Sequence, residues 1–424
     1  MLNRREFLRN GAHLGVGGAA LAAAGLPARS FAATPASGRK FIFVFAQGGW
    51  DPTRVFATEY ANSAVAMEPD GALATVGNLS FVDHPSRPSV RTFFEANHAD
   101  TVVFNGVMVR SIAHEICTMI AMTGTTSGVS PDWPAAIAGA DREAFTLPHL
   151  VLGGPSFPGS LGVAVARTGA SGQLEALLSR RALTWTDTPV GGTMKAPSEK
   201  VVDRWMARRA AARADASRSA LERSLTQDYA ASLAHLEDLK DLAWSIDFTA
   251  GADLDAQAQV AADALSMGVS RCVTLNAGTP GAWDTHTQND ALQSPLWEST
   301  FAGLGQLIER LRQTPGTSAA TLAEETVVVL LSEMGRTPAL NGFTGKDHWP
   351  FTSVLLWGDG LVGDRVIGGF DPNYYGFNID PASGDVSDGG EVLSAEAVGA
   401  TLLALADVDP AEYVDVDPIM GVVA

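Results

Sequence analysis

Six short apolar runs recur along the chain, each bounded by glycine or polar turn residues. They are Lys40–Phe45, Thr101–Val107, His149–Gly153, Cys272–Leu275, Thr326–Leu331 and Ser353–Trp357. Runs of this length that are apolar at nearly every position are typical of strands buried on both faces of a sheet. Helical segments lie between them. The pattern therefore predicts an α/β fold with a mostly parallel central sheet and helices on both faces.

Two later stretches have a different pattern. Ser198–Asp247 is rich in Ala, Arg, Leu, Glu and Asp, contains no glycine and has a helical period. It predicts a helical insertion packed on the sheet domain. The acidic, glycine-rich stretch Asp380–Glu391 predicts a surface loop, and a C-terminal helix is expected from about Ser394 to Ala406.

The amino-terminal residues have the pattern of a twin-arginine export signal. Arg4 and Arg5 precede a weakly apolar run over Gly11–Ala24, and Ser30-Phe31-Ala32 supplies a cleavage site. The run is too short and too mildly apolar to anchor the chain in a bilayer. We therefore expect a signal peptide over residues 1–33, and a periplasmic or secreted domain over 34–424 with no stable membrane span. The twin-arginine export machinery would carry that domain in folded form; an uncleaved amphipathic helix is the alternative.

The composition of the chain limits which binding partners and which covalent cross-links are expected. The 424 residues carry a formal net charge of −18, which argues against binding to nucleic acid or to anionic membrane surfaces, because both would repel the chain. Cys117 and Cys272 are the only cysteines, too few for a disulfide scaffold. They are either one bridge or two buried thiols.

Carboxylate and imidazole side chains follow several of the predicted strands. In a parallel sheet, the carboxyl ends of the strands meet at one edge, where ligands bind. Oxygen and nitrogen ligands together suit zinc or manganese, and there are enough of them for two ions. Taken singly, each has a plainer interpretation as a helix cap, a surface salt bridge or a loop histidine. The candidate metal ligands are Asp51, Asp284, His286, Glu333, Asp347 and His348.

The segment Arg110–Gly124 follows the second strand and begins a predicted helix. A helix amino terminus binds anions and activates nucleophiles, so Ser111 or His114 is a candidate to attack an ester there. The plainer interpretations are that Ser111 caps the helix and that His114 is a ligand or a core histidine.

These segments, in this order, resemble the domain of unknown function 1501 family within the alkaline phosphatase and sulfatase superfamily. The resemblance implies a three-layer α/β sandwich. It also implies that Asp51 and Glu333 hold one ion while Asp284, His286 and His348 hold another. Two departures stand out: His114 falls at the position of the nucleophile, and the residues after Cys117 lack the formylglycine signature of sulfatases.

The sequence thus predicts an exported, metal-dependent hydrolase of small anionic phosphate or sulfate esters. It would use one or two divalent ions, zinc first, with manganese, magnesium or calcium as alternatives. Arg336 would steady the anionic group, and attack would come from a hydroxide activated by the metal or from His114. The rival hypothesis is a non-catalytic cell-envelope protein that keeps the same scaffold for binding or assembly.

Overall fold

The computed structural model describes residues 38–168, 196–242, 246 and 253–424. None of the helices in these ranges is long and apolar enough to cross a membrane. The described strands are β1 Lys40–Phe45, β2 Ala72–Val76, β3 Leu79–Asp83, β4 Thr101–Met108, β5 His149–Val151, β6 Val165–Arg167, β7 Cys272–Asn276, β8 Thr326–Leu331, β9 Gly335–Arg336, β10 His348–Trp349, β11 Phe351–Gly358, β12 Arg365–Gly368, β13 Asn378–Ile379 and β14 Glu391–Val392. The described α-helices are α1 Pro88–Asn97, α2 His114–Thr123, α3 Trp133–Ala140, α4 Ala196–Ala216, α5 Ala220–Leu242, α6 Leu254–Ser266, α7 Asn289–Gln313 and α8 Ala395–Leu405.

Eight strands form the central sheet, in the order β12-β4-β11-β8-β1-β7-β5-β6. β1 pairs in parallel with both β7 and β8, while β11 runs antiparallel between β8 and β4. All six predicted apolar runs are strands of this sheet, so the predicted α/β class with a mostly parallel sheet is confirmed. Because β11 is reversed, its amino end lies at the same edge as the carboxyl ends of its neighbours.

Two hydrophobic layers cover the sheet. Along β1, Phe41, Phe43 and Phe45 face one layer while Ile42 and Val44 face the other, because side chains alternate across a strand. Helices α1, α6 and α7 pack on the side of Ile42, and helices α2, α3 and α8 on the side of Phe41. The result is a three-layer α/β/α arrangement.

The helical insertion is a pair of helices, α4 and α5, which pack against each other. The end of the predicted stretch, at Asp247, lies outside the described residues, as does the predicted signal at 1–33. The C-terminal helix is α8, within one residue of its predicted bounds. The predicted acidic loop connects the short strands β13 and β14.

The two cysteines are buried, free thiols. Burial raises the pKa of Cys117 to about 11 and raises that of Cys272 as well. Both side chains therefore act as small apolar groups of the core.

Candidate metal centre

Four candidate ligands converge at the carboxyl edge of the sheet. Asp284 and His286 follow β7, and His114 is the first residue of α2, after β4. His348 lies in β10, just before the reversed strand β11, so it reaches the same edge from the opposite chain direction. The topology thus brings together residues that are more than 200 positions apart in sequence.

A tight approach of two loops makes this convergence possible. Gly48 follows β1 with φ +125°, and a Cβ there would lie 2.5 Å from the backbone nitrogen of Asp284. The Gly48 N–H donates to Glu333 Oε1 at 2.7 Å. Only glycine combines that backbone conformation with the close approach, so Gly48 fixes the loop of Asp284 against the start of the loop after β8.

Asp284 stands at the centre of the cluster. Its Oδ1 is 3.1 Å from His286 Nε2 and 3.2 Å from His348 Nε2, and its Oδ2 is 3.4 Å from His114 Nε2. The two Nε2 atoms of His286 and His348 are 2.9 Å apart. Ligand atoms around a tetrahedral zinc ion, with bonds of 2.0–2.1 Å, are separated by about 3.3 Å. The observed separations are close to that value.

Each histidine is oriented by an acceptor on its other nitrogen. Nδ1 of His114 lies 2.9 Å from Glu333 Oε1, Nδ1 of His286 lies 2.9 Å from Asp347 Oδ1, and Nδ1 of His348 lies 2.7 Å from the Ile112 carbonyl. Carboxylate and carbonyl oxygens only accept, so each Nδ1 carries the proton. In the neutral imidazole with its proton on Nδ1, Nε2 is a lone pair aimed at the cluster, the arrangement that outer partners impose on metal-bound histidines.

These lone pairs require a positive centre. Nε2 of His114 is buried and has no hydrogen-bond partner, and 3.4 Å away lies an oxygen of Asp284, whose carboxylate cannot donate. The Nε2 atoms of His286 and His348 face each other as two acceptors. Either protons or a cation must offset this repulsion. Ligand atoms of His114, Asp284 and His348 all lie within 4.8 Å of one another, so these three side chains could hold one divalent ion, with His286 beside them. A donor set of imidazoles and one carboxylate suits zinc.

Arg336 holds Asp284 in place. Its guanidinium is fully buried, lies 2.6 Å from Asp284 Oδ1, and donates to the carbonyls of Gly48, Gly49, Trp283 and Lys346. Burial opposes ionisation of Asp284, but the bond to Arg336 outweighs it and lowers the pKa of that carboxyl. Since its donors are already engaged, Arg336 positions a ligand; it does not reach outward to an anionic group.

Asp51 lies in a separate ionic group. The carboxylate is fully buried; its Oδ2 is 2.8 Å from Lys346 Nζ and 3.5 Å from Arg54 Nε, and it also accepts from Asn289 at 2.9 Å. Its Oδ1 accepts from the backbone and side chain of Thr53, so Asp51 caps the helical turn that begins at Pro52. Both carboxylate oxygens are thus occupied by donors.

The pKa values of Asp51 and Lys346 agree with their positions in a buried ion pair. Burial alone would raise the pKa of Asp51, but Lys346 and Arg54 outweigh it and lower the pKa to about 2. Burial in turn lowers the pKa of Lys346 from its usual value. The pair is a satisfied salt bridge, so the structure does not bring Asp51 to the histidines.

Ser111 and His114 flank the amino end of α2. Ser111 Oγ accepts the N–H of Ala113 at 3.2 Å, a local turn contact before the helix, and Ala113, not Ser111, is the N-cap residue. The bond from His114 to Glu333, opposed by burial, raises the pKa of His114. The first N–H groups of an α-helix have no partner within the helix, so the start of α2 offers donors for an anion beside the histidines.

The structure places some of the predicted site residues together and others in different positions. Asp284, His286 and His348 come together as expected, and His114 joins them at the same edge. Glu333 and Asp347 stand behind histidines. Sequence reasoning missed Lys346 as the partner of Asp51 and the Ile112 carbonyl as the partner of His348. Lys346 directly precedes the Asp347-His348 pair, and this adjacency was the available signal.

The chain belongs to the family described as Protein of unknown function (DUF1501), whose pattern matches residues 38–384. A search of curated proteins finds no match.

Two solved structures are similar in fold at low identity. Ps i-CgsB, solved in complex with k-i-k-neocarrahexaose, is 10% identical, with 90% of this chain and 75% of that chain covered and a TM-score of 0.40. The phosphonate monoester hydrolase SpPMH from Silicibacter pomeroyi is 10% identical, with coverage of 91% and 77% and a TM-score of 0.38.

Proposed function

We propose that this protein is a hydrolase of small phosphate or sulfate esters that uses one divalent metal ion, zinc first. The observation that carries the proposal is the convergence of three Nε2 lone pairs on Asp284. His114, His348 and Asp284 would hold the ion, with His286 beside them, and a divalent ion there would supply a Lewis acid for an oxygen of the ester.

The chain's own residues prepare the site. Glu333 and Asp347 keep the proton of His114 and His286 on Nδ1, so that Nε2 stays available. Arg336 keeps Asp284 ionised and fixes its position. The amino end of α2 would receive the anionic group of the ester through its free N–H groups. The side chains of Asp284 and His286 are 34% and 44% exposed, so a small substrate can reach them.

Metal content and turnover test the proposal together. Protein purified without chelator should contain about one zinc per chain by elemental analysis. It should also hydrolyse at least one of 4-nitrophenyl phosphate, bis(4-nitrophenyl) phosphate and 4-nitrophenyl sulfate, and a chelator should stop that turnover. Protein that binds no divalent ion, or that binds one and hydrolyses none of these esters, would instead favour the non-catalytic hypothesis.

A pair of variants assigns the activity to this cluster. Asp284→Asn should lose both metal and turnover, because the central charge and ligand are removed. Asp388→Asn makes the same chemical change in an exposed loop and should behave like the wild type. Equal loss in both variants would show that the cluster is not the site.

We also propose export by the twin-arginine pathway, on the strength of Arg4 and Arg5 in the amino-terminal pattern. A double Arg4→Lys, Arg5→Lys variant should accumulate in the cytoplasm, whereas the wild type should be found in the periplasmic or secreted fraction. Equal distribution of the two forms would refute it.

A further inference from the structure

The α4–α5 pair exposes an apolar groove far from the metal centre in sequence. The groove has a volume of about 770 Å³ and lies between the two helices near their connection. Its walls include Trp205 from α4 and Leu221, Leu225 and Tyr229 from α5. These side chains are 52%, 71%, 58% and 44% exposed, respectively. So much exposed apolar surface in one place is typical of a binding surface.

The helical segment that carries the groove is basic, although the chain as a whole is acidic. Between residues 200 and 223, seven Lys and Arg side chains stand against three Asp and Glu, in a chain whose net charge is −18. Arg209 and Arg213 line the groove and are exposed. The Arg209 guanidinium lies 5.2 Å from the centre of the Trp205 ring. Cationic and aromatic side chains therefore share one face of the hairpin.

A salt bridge ties the hairpin to the sheet domain. Arg142, which follows α3, lies 2.7 Å from Asp228 of α5. Most of α4 is exposed along its length, with Ala210 as the buried exception among the residues that line the groove. The groove is thus held by the fold while it faces solvent.

We propose that the groove is a docking surface for an anionic phospholipid membrane. At a membrane surface, Trp, Tyr and Leu side chains are buried at the boundary between headgroups and acyl chains, while Arg side chains pair with lipid phosphates. Each Lys or Arg near an anionic surface adds to the attraction. The charged side chains that line the groove are Arg209, Arg213 and Glu222, so the groove is net positive, opposite in sign to the chain as a whole and complementary to such a surface.

The overall negative charge does not prevent this contact. Charges further apart than about 8 Å are largely screened at physiological ionic strength. An attraction confined to the hairpin therefore acts at short range, and the acidic remainder of the chain would be oriented away from the membrane. From its composition, the chain as a whole is expected to be repelled by anionic membranes. That expectation does not apply to the groove between α4 and α5.

Vesicle flotation tests the proposal. The full chain should float with vesicles of phosphatidylcholine containing about 30% phosphatidylglycerol, bind pure phosphatidylcholine at least tenfold more weakly, and lose affinity as salt rises. Arg209→Glu with Arg213→Glu should weaken binding to the anionic vesicles at least tenfold. Trp205→Ala with Leu225→Ala should weaken it at unchanged charge.

Matched controls keep the comparison specific. Arg91→Glu adds the same charge per substitution on α1, and Leu73→Ala removes an exposed leucine from β2; both should bind like the wild type. The amino-terminal residues are common to every variant, so any lipid affinity of theirs cancels. Circular dichroism establishes that each variant is folded.

Three outcomes would overturn the proposal. They are the absence of flotation with either vesicle, equal binding to the two vesicles, and unchanged binding by the double arginine variant. A chain that instead dimerises through the groove, with dimerisation lost in the Arg209→Glu, Arg213→Glu variant and no flotation, would assign the surface to a second copy.

Discussion

The histidine cluster and the Asp51–Lys346 pair lie at the same edge of the sheet, and each is built around a carboxylate that the sequence marks as a metal ligand. Asp284 faces three imidazole lone pairs and is partly exposed. Asp51 is fully buried and bonded to Lys346, Arg54, Asn289 and Thr53. The comparison teaches that the position of a carboxylate at a strand end does not make it a ligand; its neighbours decide.

The difference is one of charge balance. Lys346 and Arg54 offset the charge of Asp51, so a divalent ion there would meet two fixed cations. At the cluster, Arg336 offsets the charge of Asp284, the buried carboxylate of Glu333 lies behind His114, and the Nε2 atoms of His286 and His348 face each other. The histidine cluster would therefore be stabilised by an added cation, whereas the Asp51–Lys346 group already contains two cationic side chains.

The largest expected effect is on stability, at the Asp51 group. Lys346→Met removes the ammonium and leaves the buried carboxylate with Arg54 alone, which should lower the free energy of unfolding by about 3–5 kcal/mol. Zinc content per folded chain should not change, because the cluster is intact. Urea unfolding and elemental analysis measure the two quantities.

A double variant sharpens that result. Asp51→Asn with Lys346→Met removes both charges and should be more stable than Lys346→Met alone, because no buried charge is left uncompensated. If Lys346→Met loses its zinc while it remains folded, the two groups are not independent and the comparison fails.

The second effect is on metal affinity. Glu333→Gln keeps the shape of the side chain behind His114 but removes its charge, and loss of such an outer partner weakens zinc binding by about 10–100-fold. Competition with a chelator measures the affinity. Glu391→Gln, on an exposed strand, is the control and should bind zinc like the wild type. An unchanged affinity in Glu333→Gln would remove Glu333 from the site.

A third effect concerns acid stability and belongs to Asp51 alone. Its pKa is 3.8 in a model peptide and about 2 in the folded chain, so the unfolded chain takes up a proton first as pH falls. The contribution, about 2 kcal/mol, is present above pH 4 and is lost as pH falls through 2.

Urea unfolding between pH 5 and 2 tests this dependence. The free energy of unfolding of the wild type should fall with pH more steeply than that of the Asp51→Asn, Lys346→Met variant. Parallel curves for the two proteins would show that Asp51 does not have a depressed pKa.

The sheet could be predicted because its signal is local. Each of the six strands is a short, mostly apolar run such as Thr326–Leu331, bounded by turn residues, which is typical of a strand buried on both faces. The convergence of Asp284, His286 and His348 was also predictable, since the edge where parallel strands end is a general ligand site.

The partition of the carboxylates could not be predicted from sequence. Asp51 and Lys346 are 295 positions apart, and which loop reaches which carboxylate depends on contacts such as that of Gly48 with Asp284. The Ile112 carbonyl, which orients His348, carries no sequence signal at all, because every residue has one. Geometry of this kind also places Glu333, which the sequence offered as a metal ligand, behind His114.

The smallest expected effect is the loss of zinc affinity when Asp347 is replaced, and it distinguishes Asp347 from Glu333, the other carboxylate bonded to a histidine Nδ1. Asp347 is 59% exposed, whereas Glu333 is fully buried, yet each accepts from a histidine Nδ1 at 2.9 Å. The bond from His286 lowers the pKa of Asp347. Because solvent screens an exposed pair, Asp347→Asn should weaken zinc binding less than tenfold, and the effect should shrink further as salt rises.

The buried partner should respond differently to salt. The loss caused by Glu333→Gln should stay nearly constant between low and high ionic strength, since a buried charge is screened much less. Zinc titrations of both variants at two salt concentrations give the ratio of the two losses. The loss of affinity in Glu333→Gln, divided by that in Asp347→Asn, should grow with salt. If it does not grow, burial does not set the strength of these outer contacts, and the orientation of the histidine ring alone accounts for both losses.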